Sequence, residues 1–388
     1  MHVSSKLEQR IAVFGESGSG KTVLLSSFYG ATQEPAFAKD SLFNIVADDL
    51  GQGSRLHQNY LGMRNSARLP QANHFLPASY AFTVKLKEND GAIADKSHPF
   101  DALSLVWHDY PGEWFEQDVS GEEEAQRRVD TFRSLMSSDV ALLLIDGQLL
   151  LENQGEEERY LKSVFGNFRN GLLSLKDRIL KNGHPLVEFP RIWILALSKS
   201  DLLPDLDVYG FRDILVEKAG EEIVQLREVI AGFVEAKEAL SVGEDFMLLS
   251  SAAFEPGKIE VAHRVGVELI LPIAAIMPFE RHLKWVKEFG LPQKVAENLL
   301  DGAASMARAL VGKNIHKFIK LPPWLDFVAK GVDPAKVLYI AVTAAGEQLR
   351  RMNEKAKSNH DSLGAVLTGF KMDIENGVRD YVLIESKK

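Results

Sequence analysis

The 388-residue chain has a formal net charge of −9, is 45% hydrophobic and 26% charged, and contains no cysteine. Disulfides, thiolate zinc sites and cysteine nucleophiles are thereby excluded, and a dedicated nucleic-acid binder, which needs clustered Lys and Arg for phosphate contacts, is not expected. No stretch reaches the roughly 18–20 apolar residues of a membrane span and the opening MHVSSKLEQRIAVFG lacks a signal-peptide core, so a cytoplasmic location is the default expectation; the length suggests one large or two moderate domains.

In chain order, Ile11–Phe14 is a short apolar, partly β-branched run that predicts a buried parallel strand. It runs directly into Gly15-Glu16-Ser17-Gly18-Ser19-Gly20-Lys21-Thr22, and a helix is expected from Thr22 and Val23 to about Tyr29. Strands follow at Ser79–Leu86 and Leu103–His108, the second ending in WHDYPGEW at 107–114. Ser120-Gly121-Glu122-Glu123 has capping-box spacing and predicts a helix to about Met136. Val140–Ile145 is a core strand closed by Asp146, with a long helix over about Glu156–Leu180. Arg191–Leu197 is the next strand and ends in Ser198-Lys199-Ser200-Asp201; a helix over about Phe211–Val234 leads to the strand Phe246–Leu249 and then Ser250-Ser251-Ala252. Strands alternating with amphipathic helices predict an α/β fold, a doubly wound, mostly parallel sheet, with ligands expected beyond the carboxyl ends of the strands.

The segment at 15–22 reads G-x-x-x-x-G-K-T. Its glycines permit the turns that aim successive N–H groups at phosphate oxygens, and the following helix adds its positive end. Lys21 is expected to reach the β- and γ-phosphates and the Thr22 hydroxyl to ligate Mg²⁺. The alternative is a glycine-rich turn that matches by chance, against which stand the strand before it and the helix after it.

A P-loop after the first strand, Asp109-x-x-Gly112 after a later one, x-K-x-D at 198–201 and Ser251-Ala252 after the last resemble, in order and placement, the TRAFAC class of P-loop GTPases over about residues 10–255. The wording D-Y-P-G-E-W is also similar to the bacterial YcjX-type GTPases. The resemblance implies that Asp109 binds Mg²⁺ through a water and that the Gly112 amide senses the γ-phosphate, making this loop a switch between GTP and GDP states. It further implies that Asp201 accepts hydrogen bonds from guanine N1–H and N2–H₂, that the Lys199 stem covers the base, and that the Ala252 amide meets guanine O6. Ser198 stands where the family places Asn or Thr. The other reading of these four residues is a solvated turn.

Two departures bear on hydrolysis. Glu113 follows the glycine where many family members have Gln or His; it reads equally as a water-positioning residue or as an acid at a helix start. No threonine occurs between Thr32 and Thr83, although the family places a Mg²⁺ ligand there. The loop at 66–73 is then the expected switch I within an insert at about 48–78, with Ser66 or Asn73 as oxygen donors and Arg64 and Arg68 as possible charge stabilisers or ordinary surface residues. Asp146 is read as a non-metal strand end, His108 as a core or rim histidine, and Gly155-Glu156-Glu157-Glu158 as acids favoured at a helix start.

The GTPase region is expected to span 1–289, with a mainly helical partner-binding region at 290–388 that begins near Gly290-Leu291-Pro292 and is interrupted at Pro322-Pro323 and Pro334. Val295, Leu299, Ala303, Met306 and Leu310 form one apolar stripe. Lys313, Lys317 and Lys320 interleave with Ile315, Phe318, Ile319 and Trp324, which fits an interfacial anchor but is better explained by helices packing on a core or partner. The resulting expectation is a Mg²⁺-dependent GTP/GDP-binding switch with slow GTP hydrolysis and a protein effector, homodimerisation left open. A non-hydrolysing scaffold, a P-loop ATPase and a membrane-associated GTPase are the rivals.

Overall fold

The computed structural model describes residues 8–70, 78–87, 101–109, 121–180, 183–255, 257–299, 344–358 and 362–386. The strands β1 (Glu8–Phe14), β2 (Phe43–Ala47), β3 (Ala78–Leu86), β4 (Asp101–Asp109), β5 (Val140–Asp146), β6 (Ile192–Ser198), β7 (Ser241–Leu248) and β10 (Leu383–Ile384) form one sheet in the order β10-β7-β6-β5-β1-β4-β3-β2. From β7 through β4 all pairings are parallel; β10, β3 and β2 join antiparallel. Two short strands, β8 (Ala253–Glu255) and β9 (Lys258–Glu260), make a separate hairpin.

Every residue of β5 (VALLLID) and β6 (IWILALS) except the pleat's alternation of face is alike in being buried, which is what a strand covered on both sides requires. On one face Ile11, Val13, Leu142, Leu144 and Ile194 pack with α1 (Lys21–Thr32) and α8 (Ile270–Phe289). On the other, Ala12, Phe14, Leu143, Ile145 and Trp193 pack against α6 (Glu157–Ile179) and α7 (Val208–Ala231). Phe14 lies between Phe168 and Trp193, with ring centroids 5.1 and 5.3 Å away, the separation expected of favourable aromatic pairs. Burial on alternate faces of one strand thus makes the fold doubly wound.

The expected strands and long helices are present with most ends shifted by a few residues; β7 starts at Ser241 rather than Phe246, and the helix expected over Phe279–Phe289 already starts at Ile270. The helix α4 (Glu122–Leu135) begins after Gly121 with no side-chain cap, and Ser120 lies outside the described residues. Four elements carry weak sequence signals: β2, α2 (Pro35–Asp40), α3 (Leu50–Ser66) and α5 (Gly147–Glu152). Helix α3 contains three glycines and buries only Gly53, Leu56, Tyr60 and Met63; the Asp49 carboxylate caps it by accepting from Gln52 N–H at 2.8 Å. Most of the expected insert at 48–78 is therefore helical, and Ser66 is the last residue of that helix rather than part of a loop. Arg64 pairs with Glu34. Asn73 lies outside the described residues.

Residues beyond 290 also contribute to this sheet. β10 pairs with β7, Leu383 opposite Met247, and Leu248 N–H donates to Val382 O at 2.9 Å. Helix α10 (Ser362–Arg379) packs on α8, where Lys371 meets Glu280 at 2.6 Å, and α9 (Gly346–Ser358) packs on α10. Asp245, fully buried in β7, is held by Arg281 of α8 at 2.9 Å and by the Ser386 N–H at 2.8 Å. Of the expected apolar stripe, Val295 and Leu299 are buried in the same core as Val366, Phe370 and Ile374; Ala303, Met306 and Leu310 and the basic stretch at 313–324 lie outside the described residues. Among the described residues no helix is long and apolar enough to cross a membrane.

Candidate nucleotide site at the carboxyl edge of the sheet

Parallel registers bring the motif-bearing strand ends to one edge. Val13 pairs with Asp109, Phe14 with Leu143, Asp146 with Ser198, and Leu197 with Leu248. The segments that follow β1, β6 and β7 all leave from that edge, as does the end of β4. β1 has β4 on one side and β5 on the other, so the chain's connections diverge there, the switch point where open α/β sheets place ligands.

The loop after β1 is shaped by its glycines. Gly18 and Gly20 have φ of 80° and 88°, a left-handed conformation costly for other residues. A side chain at Gly15 would bring its first carbon within 2.6 Å of Ser19 Oγ and 3.0 Å of Leu144 Cβ. Gly20 is the N-cap of α1, which starts at Lys21. The buried Lys21 ammonium donates to Gly15 O at 2.8 Å, Glu16 O at 2.9 Å and Ser19 Oγ at 3.4 Å. Ser17 and Thr22 are half-buried, and Val23 packs against a small cluster containing Tyr60, Met63 and Ala252. A cation ringed by loop oxygens, glycines in left-handed turns and the positive end of a helix suit a polyphosphate.

A second set of residues follows β6 and β7. Ser198 is buried and donates to Ile145 O at 3.2 Å. Lys199 has a left-handed backbone, φ 53°, and its ammonium lies 2.7 Å from Asp146 Oδ2 and 3.2 Å from Gln148 Oε1. The other Asp146 oxygen caps α5 by accepting from Gln148 N–H at 2.9 Å. Gly147 makes room for this turn: a Cβ there would fall 2.5 Å from Ser198 O and 3.0 Å from Lys199 O. Asp201, in the 3-10 turn Ser200–Leu202, accepts from Ser250 Oγ at 2.7 Å and from Phe254 N–H at 3.3 Å. Ser250 Oγ is also 2.7 Å from Ala252 O, so its one proton serves two acceptors. Ser251 O accepts from Ser27 Oγ of α1 at 2.7 Å, and Ala252 is fully buried. The loop after β7 thus joins Asp201 on one side to the P-loop helix on the other.

Sequence reasoning alone did not single out Ser250, Ser27, Gly147 or the pairing role of Asp146. Ser250 stands one residue before the S-A pair and was within reach of the motif; the Lys199–Asp146 and Ser27–Ser251 contacts join residues far apart in the chain and leave no local pattern.

Of the magnesium ligands expected from the motifs, only Thr22 is described with its side chain. Thr22 is in the first turn of α1, and Asp109 ends β4 opposite Val13, one strand from the P-loop. The Asp109 side chain, Gly112, Glu113 and Trp114 lie outside the described residues. Among the described residues no three His, Asp or Glu gather into a preformed metal cluster. His108 is a buried core histidine whose Nδ1 is 3.2 Å from Ser79 Oγ; burial, then the Arg10 charge, push its pKa down to about 4. Of the run at 155–158, Glu156 is the N-cap of α6 and Glu157 and Glu158 lie in its first turn, where Glu157 accepts from Gly155 N–H at 2.8 Å.

The model of the Double-GTPase 2 family matches residues 9–242. Among solved structures, the chain is similar to the signal recognition particle receptor SRb-GTP/SRX complex from Chaetomium thermophilum, at 18% identity over 64% of this chain and 93% of that one, with a TM-score of 0.32. It is also similar to Roco2 RocCORdC of Methanosarcina barkeri bound to GDP, at 12% identity over 89% of this chain and 79% of that one, with a TM-score of 0.22. No curated protein matches. The likeness to YcjX-type GTPases rests on one short motif and is not what the family match reports. With the family match covering more than half of a chain whose fold is that of the P-loop GTPases, the protein belongs to the Double-GTPase 2 family.

Proposed function

We propose that the protein is a Mg²⁺-dependent guanine-nucleotide-binding protein that hydrolyses GTP slowly and uses its nucleotide state to regulate a protein partner through the helices after residue 290. The observation that carries this reading is the tie between the two halves of the site: Ser250 holds Asp201, and the adjoining Ser251 is bonded to Ser27 of the P-loop helix.

In this reading the Asp201 carboxylate accepts from guanine N1–H and N2–H₂, the Lys199 stem lies along the base while its ammonium stays on Asp146, and the Ala252 amide faces O6. Adenine lacks that pair of donors, and a buried acceptor left unpaired costs about 1–3 kcal/mol, more for a charged group. Lys21 exchanges its loop carbonyls for β- and γ-phosphate oxygens, while the amides from Glu16 to Val23 line the phosphate tail. Thr22 and Asp109 are the residues that would hold Mg²⁺, which, when bound, neutralises charge developing on the phosphate oxygens. Gly112 and Glu113 are placed by the motif to sense the γ-phosphate and to position a water.

Displacement of labelled GDP from the full chain tests the reading. GTP is expected to compete at least tenfold better than ATP, and single-turnover assays are expected to release phosphate from GTP. Equal displacement by ATP contradicts guanine selectivity; tight GTP binding without phosphate release, with or without partners, leaves a nucleotide-bound scaffold.

A further inference from the structure

Glu16 places a carboxylate inside a loop whose task, in the reading above, is to surround phosphate. A free carboxylate there repels the ligand, because like charges at such separations interact strongly and added salt screens them only in part. The side chain is not free. Its hydrogen-bond partner is the phenol of Tyr160, in the first turn of α6 and outside every nucleotide motif in the sequence. The same phenol oxygen accepts from the Asp146 N–H at 3.0 Å, and the Asp146 carboxylate in turn binds Lys199 at 2.7 Å. Tyr160 is 8% exposed.

Donor and acceptor chemistry fixes the direction of this relay. The Asp146 amide gives its proton to the phenol oxygen, so the phenol proton is available to the Glu16 carboxylate. Burial, and then the Glu16 charge, push the phenol pKa up, so the hydroxyl stays protonated and remains a donor at any physiological pH. Helix α6 itself is anchored in the core by Leu161, Val164, Phe165 and Phe168 around Tyr160.

Resting on the reading that loop 15–22 takes a nucleotide's phosphates, we propose that Tyr160 is a positioning residue that pins the Glu16 carboxylate away from the phosphate cradle and links that loop to the Asp146–Lys199 pair. Nothing in the P-loop pattern asks for a tyrosine at this place in the chain, and the role is carried by the three-way contact alone.

The test is a pair of substitutions in the full chain, read by GDP affinity at low and high salt and by the thermal midpoint of nucleotide-free protein. Tyr160→Phe keeps the ring and its packing but frees Glu16. GDP binding is expected to weaken about tenfold at low salt and less at high salt, since the repulsion is screened. Adding Glu16→Gln to that variant removes the loose charge and is expected to recover most of the loss, which repair of a merely structural defect does not do. Tyr160→Phe binding GDP as the unaltered protein does, or a loss that Glu16→Gln leaves untouched, overturns the assignment. Unaltered protein that binds neither GDP nor ATP overturns the nucleotide reading and this one with it; unaltered protein that binds ATP as well as GDP overturns only guanine selectivity, and the Tyr160 test then proceeds with either diphosphate.

Discussion

The hydroxyl of Ser250 lies 2.7 Å from Asp201 Oδ1, joining the loop after β7 to the turn after β6. A hydrogen bond to a charged acceptor is worth more than one to a neutral carbonyl, about 1.5–3 kcal/mol, so the proton shared with Ala252 O favours the carboxylate. Ser250→Ala frees one Asp201 oxygen to turn away from the base. GDP affinity is expected to fall about tenfold while phosphate-only ligands such as pyrophosphate are unaffected, as isothermal titration will show.

Lys21 donates to three oxygens of its own loop. Lys21→Ala removes the only ammonium in that ring and is expected to weaken GDP and ATP alike by a hundredfold or more, in contrast to the base-selective effect at Ser250. Parallel titrations with both nucleotides check this.

Gly147 faces the backbone of Ser198 and Lys199 so closely that a methyl group collides with carbonyl oxygen, not with a movable side chain. Gly147→Ala is expected to cost about 1–3 kcal/mol of overpacking, lowering the thermal midpoint by several degrees and displacing Lys199 from Asp146. A scan of the variant with and without GDP separates the two effects: the stabilisation GDP gives should shrink as well.

Burial pushes the Glu280 carboxyl up to about 7, against the opposing pull of Lys371. Its folded pKa is above the ordinary value, so the folded state holds the extra proton between about pH 4.5 and 7, and stability falls as pH rises through that window. Glu280→Gln keeps an acceptor for Lys371 without the buried charge. Relative to the unaltered chain, the variant is expected to gain about 2 kcal/mol of stability between pH 5 and pH 8, measured by urea unfolding at the two values.

The C-terminal strand is part of the sheet that carries the site. Leu383 is fully buried, and the Ser386 N–H bonds the buried Asp245. Ending the chain at 380 uncovers the edge of β7 and leaves Asp245 short of a donor, so the thermal midpoint is expected to drop by several degrees even though every nucleotide motif is intact. Calorimetry on the truncated chain decides this.

How much of this was legible before the structure depends on how local the signal is. The strand Ile11–Phe14 and the glycine-rich turn after it are fixed by adjacent residues, and continuous apolar runs such as VALLLI and IWILAL announce strands buried on both faces. Helix α3 was not legible, because three glycines and a thin apolar face are outweighed there by tertiary packing of Leu56, Tyr60 and Met63. β10 is two residues long, and only its pairing with β7 makes it a strand. In the site, each motif was readable by itself, but what holds the motifs together is long-range: Ser27 to Ser251, Lys199 to Asp146, Tyr160 to Asp146. Those contacts arise from strand order, which no local window contains.

The most direct measurement of the central claim is the base preference of Asp201→Asn. The substitution replaces an acceptor with an amide donor, which opposes the guanine 2-amino group and complements the 2-oxo group of xanthine. The variant is expected to lose GDP affinity at least tenfold and to gain affinity for xanthosine diphosphate. A variant that still prefers GDP, with xanthosine diphosphate no better bound than before, contradicts the central claim.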